Sequence, residues 1–292
     1  MSETLREIES QPAVWREAVA LLPEVASRLP AAGARVALIG CGTSYYMAQA
    51  VAAARELGGL GESDAFVASE MPGGRTYDLV IAISRSGTTT EVVRALEALP
   101  SGSRSLAITT NGDAPVERAA TDSILMPFAD EASIVQTRFA TAALALLRAH
   151  VGHALDAAIA HAEQALARPL PVEPPDFEQF VFLGTGWTAG LAGEAALKFR
   201  ESGAAWAESY PAMEYRHGPI SVASDRTLVW MLGDAEQDLV DDIRATGASV
   251  VGSPADPMAE LVTVQRAAVA LAEARGLDPD KPRHLTRSVV LP

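Results

Sequence analysis

The chain has 292 residues, 49% of them hydrophobic and 21% charged, with a formal net charge of −14. That composition describes a globular protein with room for two domains and excludes a disordered chain. The acidic balance argues against nucleic acid or an anionic membrane as the main partner, and the lone cysteine, Cys41, excludes an intrachain disulfide framework and a multi-cysteine zinc site. The N-terminus, Met1-Ser2-Glu3-Thr4-Leu5-Arg6-Glu7, is polar and lacks the apolar core of a signal peptide. No apolar run approaches the ~20 residues a membrane helix needs, so a cytoplasmic protein is expected.

In chain order, Met1 to Gly33 reads as a helical lead-in. Strands follow near Val36–Ile39, Ala65–Ala68, Leu79–Ile83, Ser105–Ile108 and Ser123–Leu125. Helices lie between them near Ser44–Leu57, Thr90–Leu99 and Pro115–Ala120, and longer ones follow near Ile134–Arg148 and Leu155–Ala167. Alternating strands and helices point to an α/β fold with parallel sheets. Four prolines within Arg168–Pro175 place a linker there, which divides the chain into domains 1–168 and 176–292. After it the pattern restarts. Val36-Ala37-Leu38-Ile39-Gly40-Cys41-Gly42-Thr43-Ser44 matches Phe180-Val181-Phe182-Leu183-Gly184-Thr185-Gly186-Trp187-Thr188, and strands recur near Ala205–Ala207, Leu228–Leu232, Ser249–Val251 and Glu260–Thr263. Two copies of one α/β unit is the simplest account.

The most informative segment is Leu79-Val-Ile-Ala-Ile-Ser-Arg-Ser-Gly-Thr-Thr-Thr-Glu-Val-Val93. A buried strand ends in Ser84, Ser86, Thr88, Thr89 and Thr90 around Gly87 and feeds a helix. The first N–H groups of a helix have no internal partner, and the helix dipole favours negative charge there, so this is an anion cradle suited to phosphate. A plain helix N-cap would use the same residue types, though not so many of them. The Gly-x-Gly turns lack the third glycine of a dinucleotide fingerprint, because Tyr45 holds that position, so no nicotinamide cofactor is expected. His150, His153 and His161 lack ligand spacing and read as surface or packing residues, and no metal or other cofactor is expected.

Several segments together resemble the sugar isomerase (SIS) family, specifically the isomerase half of glucosamine-6-phosphate synthase and its relatives. They are Gly40-Cys41-Gly42-Thr43-Ser44-Tyr45, Ser84-Arg85-Ser86-Gly87-Thr88-Thr89, Glu194-Ala195-Ala196-Leu197-Lys198-Phe199-Arg200-Glu201, Glu214-Tyr215-Arg216-His217-Gly218-Pro219 and the tail Gly276–Val289. The resemblance implies two tandem flavodoxin-like SIS domains and a phosphosugar site at strand ends. It implies that Ser84, Ser86 and Thr89 hold phosphate and that Thr43 and Ser44 hold phosphate or sugar oxygens. Arg85 stands where the synthase has glutamine and offers an anion a charged fork.

The resemblance also makes Glu201 the carboxylate that moves a proton between C1 and C2, steered by Lys198 three residues earlier. Without it, Glu194, Lys198 and Glu201 read as surface ion pairs on a helix. His217 matches the ring-opening acid/base, which in the family reaches the site from a neighbouring subunit, so a homodimer is implied. Arg287 replaces the synthase lysine that can form a Schiff base; arginine stays protonated and cannot, but it can pair with phosphate or a sugar oxygen. Val135-Gln136-Thr137-Arg138-Phe139 also departs from the synthase pattern.

No glutaminase segment is found among these residues, and stand-alone relatives work in the catabolic direction. The expected reaction is therefore conversion of a hexosamine 6-phosphate to a ketose 6-phosphate and ammonia. A fructosamine-6-phosphate deglycase, a plain aldose–ketose phosphosugar isomerase and a non-catalytic phosphosugar sensor remain open.

Overall fold

The structure, a computed structural model, describes residues 1–291. Two helices lead the chain, α1 (Glu3–Glu9) and α2 (Gln11–Val25). Strand and helix then alternate through β1 (Val36–Gly40), α3 (Thr43–Leu57), β2 (Ser63–Val67), β3 (Leu79–Ile83), α4 (Thr90–Glu97), β4 (Ser105–Thr109), α5 (Pro115–Ala119) and β5 (Asp122–Leu125). Helices α6 (Arg138–His150) and α7 (Asp156–Ala167) follow. The second series is β6 (Gln179–Gly184), α8 (Thr188–Glu201), β7 (Trp206–Pro211), β8 (Thr227–Leu232), α9 (Gln237–Ala245), β9 (Ser249–Val251) and α10 (Pro257–Ala274). The α/β class expected from the sequence is observed, with two parallel sheets flanked by helices.

The residues gather into two compact units. A five-stranded unit holds Ala13–Ala132, Gln136–Leu155 and residues 286–291, and a four-stranded unit holds Met1–Pro12, Ser133–Val135 and Asp156–Leu285. In the five-stranded unit the strand order is β2-β1-β3-β4-β5. Strands β1, β3 and β4 are buried along their whole length, as both-face burial of a parallel sheet requires. Side chains alternate between faces, so Ala37, Ile39, Val80, Ala82 and Ala107 share one face. There they pack with Val92 and Leu96 of α4 and Val116 of α5. Full burial of Val92 and Leu96, one helical turn apart, is worth about 1.5–3 kcal/mol each. Helices α3 and α6 pack together, and the buried Trp15 indole of α2 donates to Thr141 Oγ1 of α6 at 2.8 Å.

In the four-stranded unit the order is β7-β6-β8-β9, which repeats the order of the first four strands of the other sheet. Val181, Leu183, Val229 and Met231 pack with Leu239 and Ile243 of α9. Phe199 of α8 lies 4.7 and 5.0 Å, ring to ring, from Phe180 and Phe182. Helix α10 packs against α7, α8 and α1. The amino end of α1 is held by Asp280, whose carboxylate accepts from the Glu3 and Thr4 N–H groups at 2.9 and 2.8 Å and from Thr4 Oγ1 at 2.7 Å. Partial burial pushes the Asp280 carboxyl up, but the hydrogen bonds from Thr4 and Glu3 outweigh it and hold it below the usual carboxylate range.

One expectation needs revision. Glu260–Thr263, read as a strand, lies inside α10. A short apolar run with Val262 and Thr263 looks the same in a strand and in a buried helix. The helix start signals decide: Asp256 Oδ1 accepts from Met258 N–H at 2.9 Å, and Pro257 takes the first helical position. The compact units part at 12/13, 132/133, 135/136, 155/156 and 285/286. The proline-rich stretch ends α7 within the four-stranded unit, because α7 buries Ala158, Ile159 and Ala162 and packs on α10.

Candidate active site

Helices α3 and α4 leave the carboxyl ends of neighbouring strands β1 and β3, paired with Ile39 opposite Ala82. The chain runs outward from β1 to β2 and returns to β3 on the other side, so this is the point where strand order reverses. At such a point the two strand-to-helix turns diverge and leave a crevice, where ligands of open parallel sheets bind. In the β1 turn, Gly40 lets α3 come close; a Cβ there would meet the Ser44 carbonyl carbon at 2.7 Å. Gly42 has φ +54°, and Thr43 and Ser44 are buried at the start of α3. Cys41 in the same turn is held protonated, its thiol pushed up by burial and then by the charge of Glu91.

The β3 turn is the hydroxyl loop. Gly87 has φ +68°, and a Cβ on it would meet Ala114 Cβ at 2.5 Å. Its carbonyl accepts from Val116 N–H at 2.9 Å, which packs the loop onto α5. Ser86 Oγ accepts from Thr88 N–H at 3.2 Å and from Thr88 Oγ1 at 3.1 Å. Thr89 takes the N-cap position of α4, but its side chain makes no capping hydrogen bond. Ser84 is buried at the strand end. A cavity of about 450 Å³ opens here, lined by Ser86, Thr88, Thr110, Asn111, Asp130 and the tail residues Arg287 and Ser288.

Two arginines are engaged differently from the simplest sequence reading. Arg85, read as an anion-facing fork, is 1% exposed, with Nη1 3.4 Å from Oε2 of the fully buried Glu131. Its Nη2 donates to the Arg287 carbonyl at 3.2 Å. Glu131 Oε1 accepts from Thr137 N–H (2.6 Å), Thr137 Oγ1 (2.9 Å) and Arg138 N–H (2.8 Å), so it caps the amino end of α6. Arg287 pairs with Asp130 at 2.5 Å on the cavity wall. Partial burial pushes the Asp130 carboxyl up, but hydrogen bonds from Arg287 and Thr110 outweigh it and hold it below the usual range.

The four-stranded unit carries the second constellation, on α8. Lys198 Nζ lies 2.5 Å from Glu201 Oε2 and 3.3 Å from Glu194 Oε1. These are not surface ion pairs: Lys198 and Glu194 are each 1% exposed, and only Glu201, at 19%, reaches solvent. Glu201 lines a cavity of about 390 Å³ with Arg200, Asp278, Lys281 and Arg283. A carboxylate fixed by a buried ammonium beside a cavity can take a proton from a substrate carbon and return it.

His217 ends the turn Ala212–His217 after β7. Its neighbours are fixed: Tyr215 is buried, its hydroxyl pushed up to about 12 by burial and then by the charges of Glu208 and Tyr210, and Arg216 pairs with Asp238 and Asp242 at 3.1 and 2.8 Å. His217 itself is exposed, its side chain makes no hydrogen bond among the described residues, and it is absent from the lining of the Glu201 cavity. Within their own units, the structure thus gathers Lys198 with Glu201, and Ser86 with Arg287, while leaving His217 apart. Sequence reading missed Asp130, Glu131 and Ser288. Asp130-Glu131 before a helix start was the one visible signal for the first two.

Residues 31–151 match the family model described as SIS domain. This segment is therefore similar to SIS domains. It contains the whole five-stranded sheet, both turns at the strand reversal and the hydroxyl loop. Two similar relatives are isomerizing glutamine–fructose-6-phosphate aminotransferases. The one from Halobacterium salinarum is 27% identical over 98% of this chain and 59% of its own length. The one from Sulfurisphaera tokodaii is 29% identical over 88% of this chain and 50% of its own. The chain thus spans about half to three-fifths of the length of these relatives. A solved structure of glucosamine-6-phosphate deaminase from Thermotoga maritima superimposes with TM-score 0.88 and 25% identity, covering 99% of this chain and 100% of that one. Among the described residues, no helix is long and apolar enough to cross a membrane, and no group of three or more His, Cys, Asp and Glu could hold a metal.

Proposed function

We propose that this chain is an SIS-type aminosugar-phosphate deaminase and isomerase, converting a hexosamine 6-phosphate and water to a ketose 6-phosphate and ammonia. The observation that carries the reading is the hydroxyl loop at the strand reversal of an SIS-like unit, ahead of a helix whose N-cap Thr89 makes no side-chain capping bond. Further support comes from the likeness, over nearly the whole of both chains, to a structure described as a glucosamine-6-phosphate deaminase.

In this reading Ser84, Ser86 and Thr89, with Thr43 and Ser44, hold the phosphate and nearby oxygens. His217 opens the ring by moving a proton to O5. Glu201 removes the C2 proton from the open-chain aldose and returns it to C1 through an enolamine. Water then adds to the resulting C2 imine and ammonia leaves. Lys198 fixes the Glu201 carboxylate at 2.5 Å. Arg287 forms no imine, so no covalent step is assigned to the tail. The chain is read as two tandem SIS domains, supported by the shared strand order of the two sheets. The exposed, unpartnered His217 supports a homodimer in which it completes the neighbouring subunit's site. A second reading, a non-catalytic phosphosugar sensor, rests on Arg287 in place of the family lysine.

Ammonia release from glucosamine 6-phosphate and galactosamine 6-phosphate, followed by a coupled assay, tests the proposal. Glu201→Gln should lower turnover by about 10²–10⁴-fold, the usual worth of a positioned acid/base, with phosphosugar binding retained. Binding without ammonia release in the unsubstituted protein would favour the sensor.

A further inference from the structure

Residues 288–291 sit on the hydroxyl loop and the first residue of α4, and they share Ser86 with the phosphate set of the proposed function. Ser288 Oγ lies 3.1 Å from Ser86 Oγ and 2.8 Å from Thr88 Oγ1. The Val289 carbonyl accepts from Thr90 N–H at 3.2 Å, at the first residue of α4. Leu291 N–H donates to Thr90 Oγ1 at 2.9 Å. The contacts of Arg287 with Arg85 and Asp130 fix the segment just before these residues. Beyond them Leu291 lines a cavity of about 470 Å³ with Met71, Arg94 and Leu99.

These contacts follow a pattern. Two neutral oxygens, one hydroxyl and one carbonyl, face two hydroxyls and a helix-terminal N–H. Of these, Ser86 and the helix-terminal N–H are groups a phosphate would engage with its own oxygens. With no side-chain cap from Thr89, the first N–H of α4 is satisfied by the Val289 carbonyl instead. Neutral acceptors hold such donors less strongly than a dianion does, so an anion can displace them.

We infer that residues 288–291 are a built-in competitor for the phosphate of the substrate: both need Ser86 and the amino end of α4, and binding one releases the other. The inference rests on the proposed phosphate site. The tail is tethered close by, so it acts at a high effective concentration. Apparent phosphate affinity is then lowered by the fraction of molecules in which the tail is docked. Discrimination follows, because a ligand must bind the hydroxyl loop well enough to displace the tail before it occupies the site.

The test measures binding of inorganic phosphate and of glucosamine 6-phosphate by calorimetry, on the full chain, on Ser288→Ala and on a chain ending at Arg287. Hydrogen exchange of the tail is followed in the full chain. The truncated chain should bind inorganic phosphate about tenfold more tightly, and Ser288→Ala about threefold, as expected for losing several or two modest hydrogen bonds. Phosphate should speed exchange at the Leu291 amide. Equal affinities with unchanged tail exchange would overturn the competition. Weaker binding on truncation would also overturn it, because the tail would then be part of the phosphate site. If no form bound phosphate or phosphosugar while remaining folded, the hydroxyl-loop reading itself would fall.

Discussion

Arg85→Met should destabilise the five-stranded unit without touching the α8 constellation. Arg85 and Glu131 are both essentially inaccessible to water, at 1% and 0% exposure. Removing one partner of a buried pair costs about 3–5 kcal/mol, because the other charge stays buried. The lower end applies here. Glu131 Oε1 keeps three donors, from Thr137 N–H, Thr137 Oγ1 and Arg138 N–H, so the carboxylate is not left bare. Methionine also fills most of the arginine stem's volume. A loss of about 3 kcal/mol corresponds to a fall in Tm of about 6–12 °C for a unit of this size. Calorimetry on Arg85→Met, Glu131→Gln and the double variant closes a cycle, and the double variant should regain about half the loss because no charge is stranded. A loss below about 1 kcal/mol, or strictly additive effects, would refute the view that this pair anchors the hydroxyl loop to α6.

Gly87→Ala forces a side chain into a backbone at φ +68° and places its Cβ 2.5 Å from Ala114 Cβ. The left-handed cost and the overpacking together should remove about 2–4 kcal/mol, read by urea denaturation, and should weaken phosphate binding in parallel. The Asp280 clamp on α1 gives a pH test. Its folded pKa is depressed, so its contribution is present above the ordinary aspartate value of about 3.9 and is lost as pH falls through the lower folded value. Asp280→Asn should therefore flatten the acid limb of the stability curve below about pH 4, and an unchanged acid limb would sink the assignment.

Much of the first sheet was legible because its strands are unbroken apolar runs ended by glycines and hydroxyls. Leu79 to Ile83 could hardly be anything else once Gly87 and the threonines followed. Glu260–Thr263 was misread because four residues carry no period, and the N-cap at Asp256 lay outside the window. The hydroxyl loop and Glu201 were visible as residue types in sequence. Their partners were not: Arg85 meets Glu131 46 residues on, and Ser86 meets Ser288 202 residues on. Burial was equally invisible. The spacing of Glu194, Lys198 and Glu201 is the same on a wet helix face as on the nearly dry one they occupy, and only the packing of α8 distinguishes the two.

The lysines carry one more consequence. The sequence has only two, Lys198 and Lys281. The first is 1% exposed between two carboxylates, and the second is 83% exposed on the rim of the Glu201 cavity. An acylating reagent added to the native protein therefore finds Lys281 and the α-amino group and passes over Lys198. Acylation at Lys198 records the opening of α8, so the chain carries its own chemical clock for the loss of structure around Glu201, with Lys281 as the internal standard.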